Sequence, residues 1–153
     1  TAIEAINIVV EENYVEKSKN IFKNLNFGLE KLKKKFPSII KEVRGSGALN
    51  GIVINTDFSD KYLQPILSLL PSDFAKDEYA IKKIIVSSYI SELYDEYNIL
   101  TFYGSNIDLP LKISCPLNTE KESLDYFLNS LEKILYKGTT FVVKNFIKKN
   151  IFK

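Results

Sequence analysis

Apolar residues recur along this chain with more than one spacing, and the changes of spacing mark out its elements. Ile3, Ile6 and Val10 follow the three-four interval of a single helical face, which predicts a first helix buried along that line. Asn13 suits a left-handed stop to it. A second helical run carries Phe22, Leu25, Leu29, Leu32 and Phe36 in near-heptad register, with Lys23, Lys31, Lys33 and Lys34 among the outward positions. Five such positions also fit a coiled-coil seam, but one pass of helix on sheet is the favoured reading. Pro37 ends the helix. From Ile39 to Thr56 two β-branched, apolar-rich runs flank Gly45-Ser46-Gly47, the pattern of a β-hairpin with a glycine-permissive turn. Gly51 lies inside the second run, where a glycine marks either a bulge or another backbone or ring lying close against it.

The second half is less regular at first. Tyr62 to Leu70 contains Leu63, Ile66, Leu67 and Leu70, an amphipathic turn or two broken by Pro65, and Pro71-Ser72-Asp73 reads as a loop. A long helix is predicted from Glu78, with Val86, Ile90, Leu93, Tyr94 and Tyr97 on one face. Ile81, Ile84 and Ile85 widen that face, so cover on more than one side is expected. Asn98 caps it before a short strand, Ile99 to Tyr103. A Gly104-Ser105-Asn106 turn and a strand around Leu111 to Ser114 follow. Thr119 with Glu122 has the spacing of a capping box and opens a helix whose buried stripe is Leu124, Phe127, Leu128, Leu131, Ile134 and Leu135. Gly138 stops it. The fold class expected is α+β, a small and mostly antiparallel sheet covered by helices on one face. One domain is expected over 1–138, followed by a basic amphipathic helix at 139–153.

Composition narrows the chemistry. With 153 residues, 45% hydrophobic and 26% charged, the chain is of ordinary globular type. No run approaches a membrane span, and no signal-peptide layout is present at the start, so a cytoplasmic location is expected. There is no histidine, which removes the commonest general base and metal ligand from this chain. The single cysteine, Cys115, cannot form an internal disulfide and reads as a small packing residue.

Charge is unevenly placed. Residues 137–153 carry five lysines and no acid against +2 for the whole chain, which leaves residues 1–136 at −3. Arg44 is the only arginine among 21 cationic residues. A near-neutral body with one arginine does not suit nucleic acid. In the tail, Phe141, Val142, Phe146, Ile147 and Ile151 alternate with Lys144, Lys148 and Lys149. Such a helix suits packing on the domain or on a partner, and an anionic membrane less well.

Three stretches together carry a resemblance: Ala2 to Glu12, Ile40 to Ile52 with its Val43-Arg44-Gly45-Ser46-Gly47 and Gly51, and Leu111 to Glu120 with its Pro116-Leu117 turn. In this order they resemble the C-terminal small domain of class III pyridoxal-phosphate aminotransferases, the acetylornithine and ornithine aminotransferase type. The resemblance covers roughly residues 1–136. It implies a parent enzyme, a homodimer in its family, that moves an amino group between an amine donor and a keto acid or aldehyde. It further implies a Schiff-base lysine for pyridoxal 5'-phosphate in a large domain that precedes the small one. No segment here resembles that lysine, so this chain is expected to be a fragment, inactive alone and without bound cofactor. Where many members carry a carboxylate-clamping arginine before the Pro-Leu turn, this sequence has Lys112, so substrate binding by Lys112 would lack the planar fork of arginine. Arg44, Gly45, Gly47 and Gly51 are expected to be structural, Arg44 through an ion pair or backbone contact. The family also includes aminomutases and decarboxylases. The competing reading is a freestanding interaction module.

Overall fold

The computed structural model describes residues 1–56, 63–68, 77–105 and 107–150. Helix α1 (Ala2–Glu11) ends at Asn13, which adopts the left-handed conformation (φ 52°) that asparagine tolerates, and α2 (Tyr14–Lys35) starts directly after it. Ile21, Leu25, Leu29 and Leu32 form the buried stripe of α2. Lys33, Lys34 and Lys35 occupy its last turn, where cations oppose the negative end of the helix dipole. The hairpin follows as β1 (Ile40–Ser46) and β2 (Leu49–Ile54), with Gly47 at φ 56° in the turn between them. A short helix, α3 (Gln64–Leu67), leads on to α4 (Glu78–Tyr97), whose first amides are held by the Asp77 carboxylate. Strands β3 (Phe102–Tyr103) and β4 (Leu111–Ser114) complete the sheet, and α5 (Lys121–Lys137) and α6 (Thr139–Asn150) close the chain.

The sheet has the order β1-β2-β4-β3, and each neighbouring pair is antiparallel. Side chains therefore alternate between two faces along every strand. Ile52 and Leu111 stand in one cross-strand row and point into the core, joined by Ile113 one row on. Helix α2 lies over β1 and β2, α5 packs on α2 and α4, and α6 lies mainly along α4. The core formed by these layers includes Leu25, Leu29, Ile54, Tyr89, Leu93, Leu131, Ile134 and Val142. The fold is α+β, with helices over one face of a small antiparallel sheet.

Helix α4 is covered from two directions, by α5 and α6, which is why its buried residues spread around the helix as Ile85, Val86, Ser88, Tyr89, Glu92 and Leu93. Its polar members are matched: the Tyr89 hydroxyl meets Thr139 Oγ1 at 2.8 Å, and Lys137 Nζ donates to Glu92 Oε1 at 2.5 Å. On α6, Val142, Val143 and Ile147 are buried, and Lys149 pairs with Asp95 of α4 at 2.7 Å. Among the described residues no helix is long and apolar enough to cross a membrane.

Several sequence expectations are corrected. Helix α1 buries nothing: Ile3, Ile6 and Val10 are 71%, 63% and 72% exposed, because none of the described elements lies over that face. On α4, Tyr94 is exposed and Tyr89 takes the central place, since the two-sided cover rotates the buried surface relative to a single stripe. The strand expected at Ile99 to Tyr103 is confined to Phe102 and Tyr103, the two residues that β4 pairs. The capping box at Thr119 and Glu122 is not formed: the Thr119 hydroxyl donates to the Pro116 carbonyl at 2.7 Å, and the helix starts one residue later with Glu120 as N-cap. Phe141 is exposed on α6, where Val143 is buried instead. The loop expected at Pro71-Ser72-Asp73, Leu70, most of the connection from Asp57 to Asp77, Asn106 and residues 151–153 lie outside the described residues.

Two substitutions test this layering. Leu29→Ala empties a fully buried position between α2 and the sheet and is expected to cost about 3 kcal/mol of unfolding free energy. Tyr89→Phe leaves Thr139 unpaired in the core and is expected to cost about 1 kcal/mol. Urea unfolding curves measure both, and the larger loss belongs to Leu29→Ala.

Candidate functional site

The face of the sheet turned away from the helices carries the charged residues singled out in the sequence. In cross-strand register Arg44 stands opposite Gly51, Gly51 opposite Lys112 and Lys112 opposite Phe102, so these four form one row across all four strands. With strands spaced about 4.8 Å apart, the backbones of Arg44 and Lys112 are roughly 10 Å apart. Gly51 lies between the two cations and contributes no side chain.

Gly51 is where it is because β4 comes close. A Cβ on Gly51 would meet the Leu111 carbonyl oxygen at 3.1 Å and Pro110 Cβ at 3.7 Å. Of the two readings of that glycine, the close backbone approach is correct, and the sheet's irregularity falls elsewhere, between Ile40 and Glu42. Gly47 serves the turn, and Gly45 lies beneath the Asn50 side chain, whose Oδ1 would clash with a Cβ there.

Arg44 is held by two carboxylates through its Nε and Nη2 donors. Its Nε donates to Glu42 Oε1 at 2.7 Å and its Nη2 to Glu42 Oε2 at 2.6 Å, a two-point contact between residues that share a face by the strand period. Nη2 also donates to Asp108 Oδ2 at 2.9 Å. Asp108 sits in the connection from β3 to β4, which is closed by Gly104 N–H donating to the Pro110 carbonyl at 2.9 Å. The neighbouring Leu109 takes a positive φ of 44°, a conformation unfavourable for leucine, and is fully buried. Burial of that side chain and the Arg44–Asp108 pair hold the connection in place. The Arg44 hydrogen bond holds the Glu42 carboxyl below its ordinary range, and Glu42 followed by Asp108 raises the arginine further.

Lys112 is placed differently. It is half-buried, its ammonium lies 5.8 Å from the centroid of the Phe102 ring, and among the described residues it has no carboxylate partner. Phe102 and Leu49 on the same face remain half-exposed. The face is thus partly open, with Val53 and Gly51 buried on it, one cation neutralised and one without a carboxylate among the described residues. Cys115, just beyond β4, is half-buried and its thiol contacts the Ala48 carbonyl at 3.7 Å; burial pushes its pKa up, which suits packing and not nucleophilic attack. The roles of Glu42 and Asp108 were not foreseen. Glu42 was open to the two-residue strand period, whereas Asp108 is joined to Arg44 only by the folded chain.

The fold is similar to part of solved transaminases. No family model matches the chain. Solved structures of similar fold include a transaminase from the marine bacterium Virgibacillus, matched over 94% of this chain and 28% of that one with a TM-score of 0.65 and 20% identity. The acetylornithine aminotransferase from Elizabethkingia anophelis is matched over 89% and 27%, with a TM-score of 0.56 and 22% identity. In sequence the chain is similar to ornithine aminotransferases. It is 41% identical to the mitochondrial enzyme of Arabidopsis thaliana over 56 residues, 37% of this chain and 12% of that protein. It is 34% identical to the mitochondrial enzyme of Oryza sativa subsp. japonica over 64 residues, 42% of this chain and 13% of that protein. The matched stretches therefore cover about an eighth of the curated relatives, and the chain about a quarter of the solved transaminases.

Two outcomes are expected at this face. Gly51→Ala forces β2 and β4 apart and is expected to cost about 2 kcal/mol in urea unfolding. For Glu42, a folded pKa below the ordinary 4.5 means that its ion pair stabilises fully above that value and is lost as pH falls through the depressed one. The unfolding midpoint of Glu42→Gln should therefore lie slightly below wild type at neutral pH and merge with it once acidification passes that point.

Proposed function

We propose that this chain serves as the C-terminal small domain of a pyridoxal-phosphate aminotransferase of class III, a homodimer that transfers an amino group from an amine or amino acid to a keto acid or aldehyde. The observation that carries the reading is the 41% identity to an ornithine aminotransferase, on a chain whose fold is matched almost end to end by transaminases. The cofactor supplies an electron sink at the amino-bearing carbon when bound. The described residues do not fit it: Arg44 is already paired with two carboxylates, and Lys112 lies against Phe102 and is unaccompanied by a phosphate-cradling loop. Pyridoxal 5'-phosphate and its lysine are therefore assigned to a large domain outside this chain, which alone would be inactive. That domain is also the occupant we assign to the bare apolar face of α1, an exposure that counts against a freestanding module. A cytoplasmic setting is part of the same reading.

Within this scheme Lys112 receives the substrate carboxylate. Gly51 places no side chain between the two cations, Phe102 steadies the lysine stem and ring-side charge, and Arg44 is withheld from the ligand by Glu42 and Asp108. A lysine offers a point charge with rotatable donors, so it tolerates more than one carboxylate geometry.

The test is made in the full-length protein. Lys112→Ala is expected to lower kcat/KM for keto-acid acceptors roughly tenfold or more, mainly through KM, and to leave aldehyde acceptors unaffected. Lys112→Arg is expected to restore acceptor binding. Unchanged kcat/KM for keto acids in Lys112→Ala would remove the proposed role, and absence of any amino-group transfer from a panel of ω-amino donors would remove the enzymatic reading.

A further inference from the structure

A cleft of about 320 Å³ lies between the first half of α2, the turn at 116–119 and the start of α5. Its volume is at the small end of the range for small-molecule sites. The buried side chains of Ile21 and Leu124, with Leu117, make its apolar part. The rest of its lining is polar: Lys17, Asn20 and Asn24 from α2, Asn118 and Thr119 from the turn, and Lys121 from α5.

Two observations on those polar groups point to one kind of ligand. The first is charge. No carboxylate among the described residues lines the cleft. Lys17 is balanced from outside it by Glu12, at 2.9 Å, whereas Lys121 has no ion-pair partner among the described residues. The cleft therefore carries one uncompensated positive charge. The second is the amide side chains. Those of Asn20, Asn24 and Asn118 make no hydrogen bond among the described residues. Asn20 and Asn24 stand one helical turn apart on the same face of α2. Asn118 is held in a turn closed by the Thr119 amide and hydroxyl, which donate to the Pro116 carbonyl at 3.0 and 2.7 Å. One such asparagine on a surface is satisfied by water. Three on a single cleft, beside an unpaired ammonium, offer a ligand donors, acceptors and charge together. The donors and the charge call for an oxyanion. The three carboxamide oxygens, which an oxyanion leaves unmatched, call for hydroxyl groups on the same molecule.

We propose that this cleft binds a small hydroxylated oxyanion. Its charged head accepts from Lys121 and the carboxamide N–H groups, its hydroxyls donate to carboxamide oxygens, and its carbon chain lies against Ile21, Leu117 and Leu124. The assignment does not depend on the aminotransferase reading, because none of these residues belongs to the face that carries Arg44 and Lys112.

The experiment titrates the 153-residue chain at fixed ionic strength and reads the side-chain amide resonances of Asn20, Asn24 and Asn118. The probes are glycerol 3-phosphate and glycerate, the same kind of body with a phosphate or a carboxylate head. Saturable shifts of those resonances are expected, and the tighter of the two probes assigns the head group. Inorganic phosphate and glycerol, which each carry only part of the chemistry, are expected to bind at least about threefold more weakly than that probe. Lys121→Ala is expected to weaken it about fivefold. Lys133→Ala, at an exposed position of α5 outside the cleft, is expected to leave it unchanged. Both substitutions fall on exposed lysines and leave the core untouched. Absence of saturable shifts with either probe up to about 10 mM would overturn the proposal. So would equal affinity in Lys121→Ala, an equal loss in Lys133→Ala, or binding of inorganic phosphate or glycerol as tight as that of the better probe.

Discussion

Strand β2 keeps register with β1 on one side and β4 on the other, and the rest of the molecule depends on that double pairing. Ile52 faces the helices only because Gly51 faces away from them. A slip of one residue in either ladder would turn Ile52 outward and bring a glycine into the core. The register is protected from both directions. The β2–β4 approach leaves only a tight fit for a side chain at Gly51, and the helices supply Leu25, Leu29 and Leu131 to receive the apolar row. Arg44 adds a tie on the opposite face by joining β1 to the β3–β4 connection through Asp108. The layering and the cationic row are thus two faces of one pairing scheme.

Much of this was legible in the sequence wherever a local pattern and the burial it implies agree. Leu25, Leu29 and Leu32 repeat at helical spacing and are buried; β-branched runs around a glycine pair become the hairpin; Leu111 to Ser114 becomes β4. Legibility failed where the answer lies in what packs against an element. The spacing of Ile3, Ile6 and Val10 describes a face without saying whether anything covers it. Tyr89 and Tyr94 are equally plausible by period, and only the positions of α5 and α6 separate them. Thr119 had two competing uses for its hydroxyl, and the carbonyl of Pro116, three residues back in a tight turn, took precedence over the helix amide. At the candidate site the strand positions of Arg44 and Lys112 were readable, but their opposite electrostatic situations were not. The difference is made by Asp108, a residue 64 positions from Arg44.

The helical layer has its own logic. Helix α4 has apolar contacts on two sides, and the polar groups caught between its neighbours are each met: Tyr89 by Thr139, Glu92 by Lys137, Asp95 by Lys149. Two of these partners belong to α6 and the third to the last residue of α5. The final helix is therefore held by specific polar pairing as well as by Val142, Val143 and Ile147, which fixes its rotation about its own axis as well as its depth.

The bare flank of α1 has a consequence for how the polypeptide behaves in company. Five aliphatic side chains on ten residues, Ile3, Ile6, Ile8, Val9 and Val10, face water with nothing described above them. Such a strip is adhesive. Left uncovered, it would draw the chain to chaperones, to other copies of itself or to detergent, so handling in the laboratory will be governed less by the well-filled interior than by the first three turns.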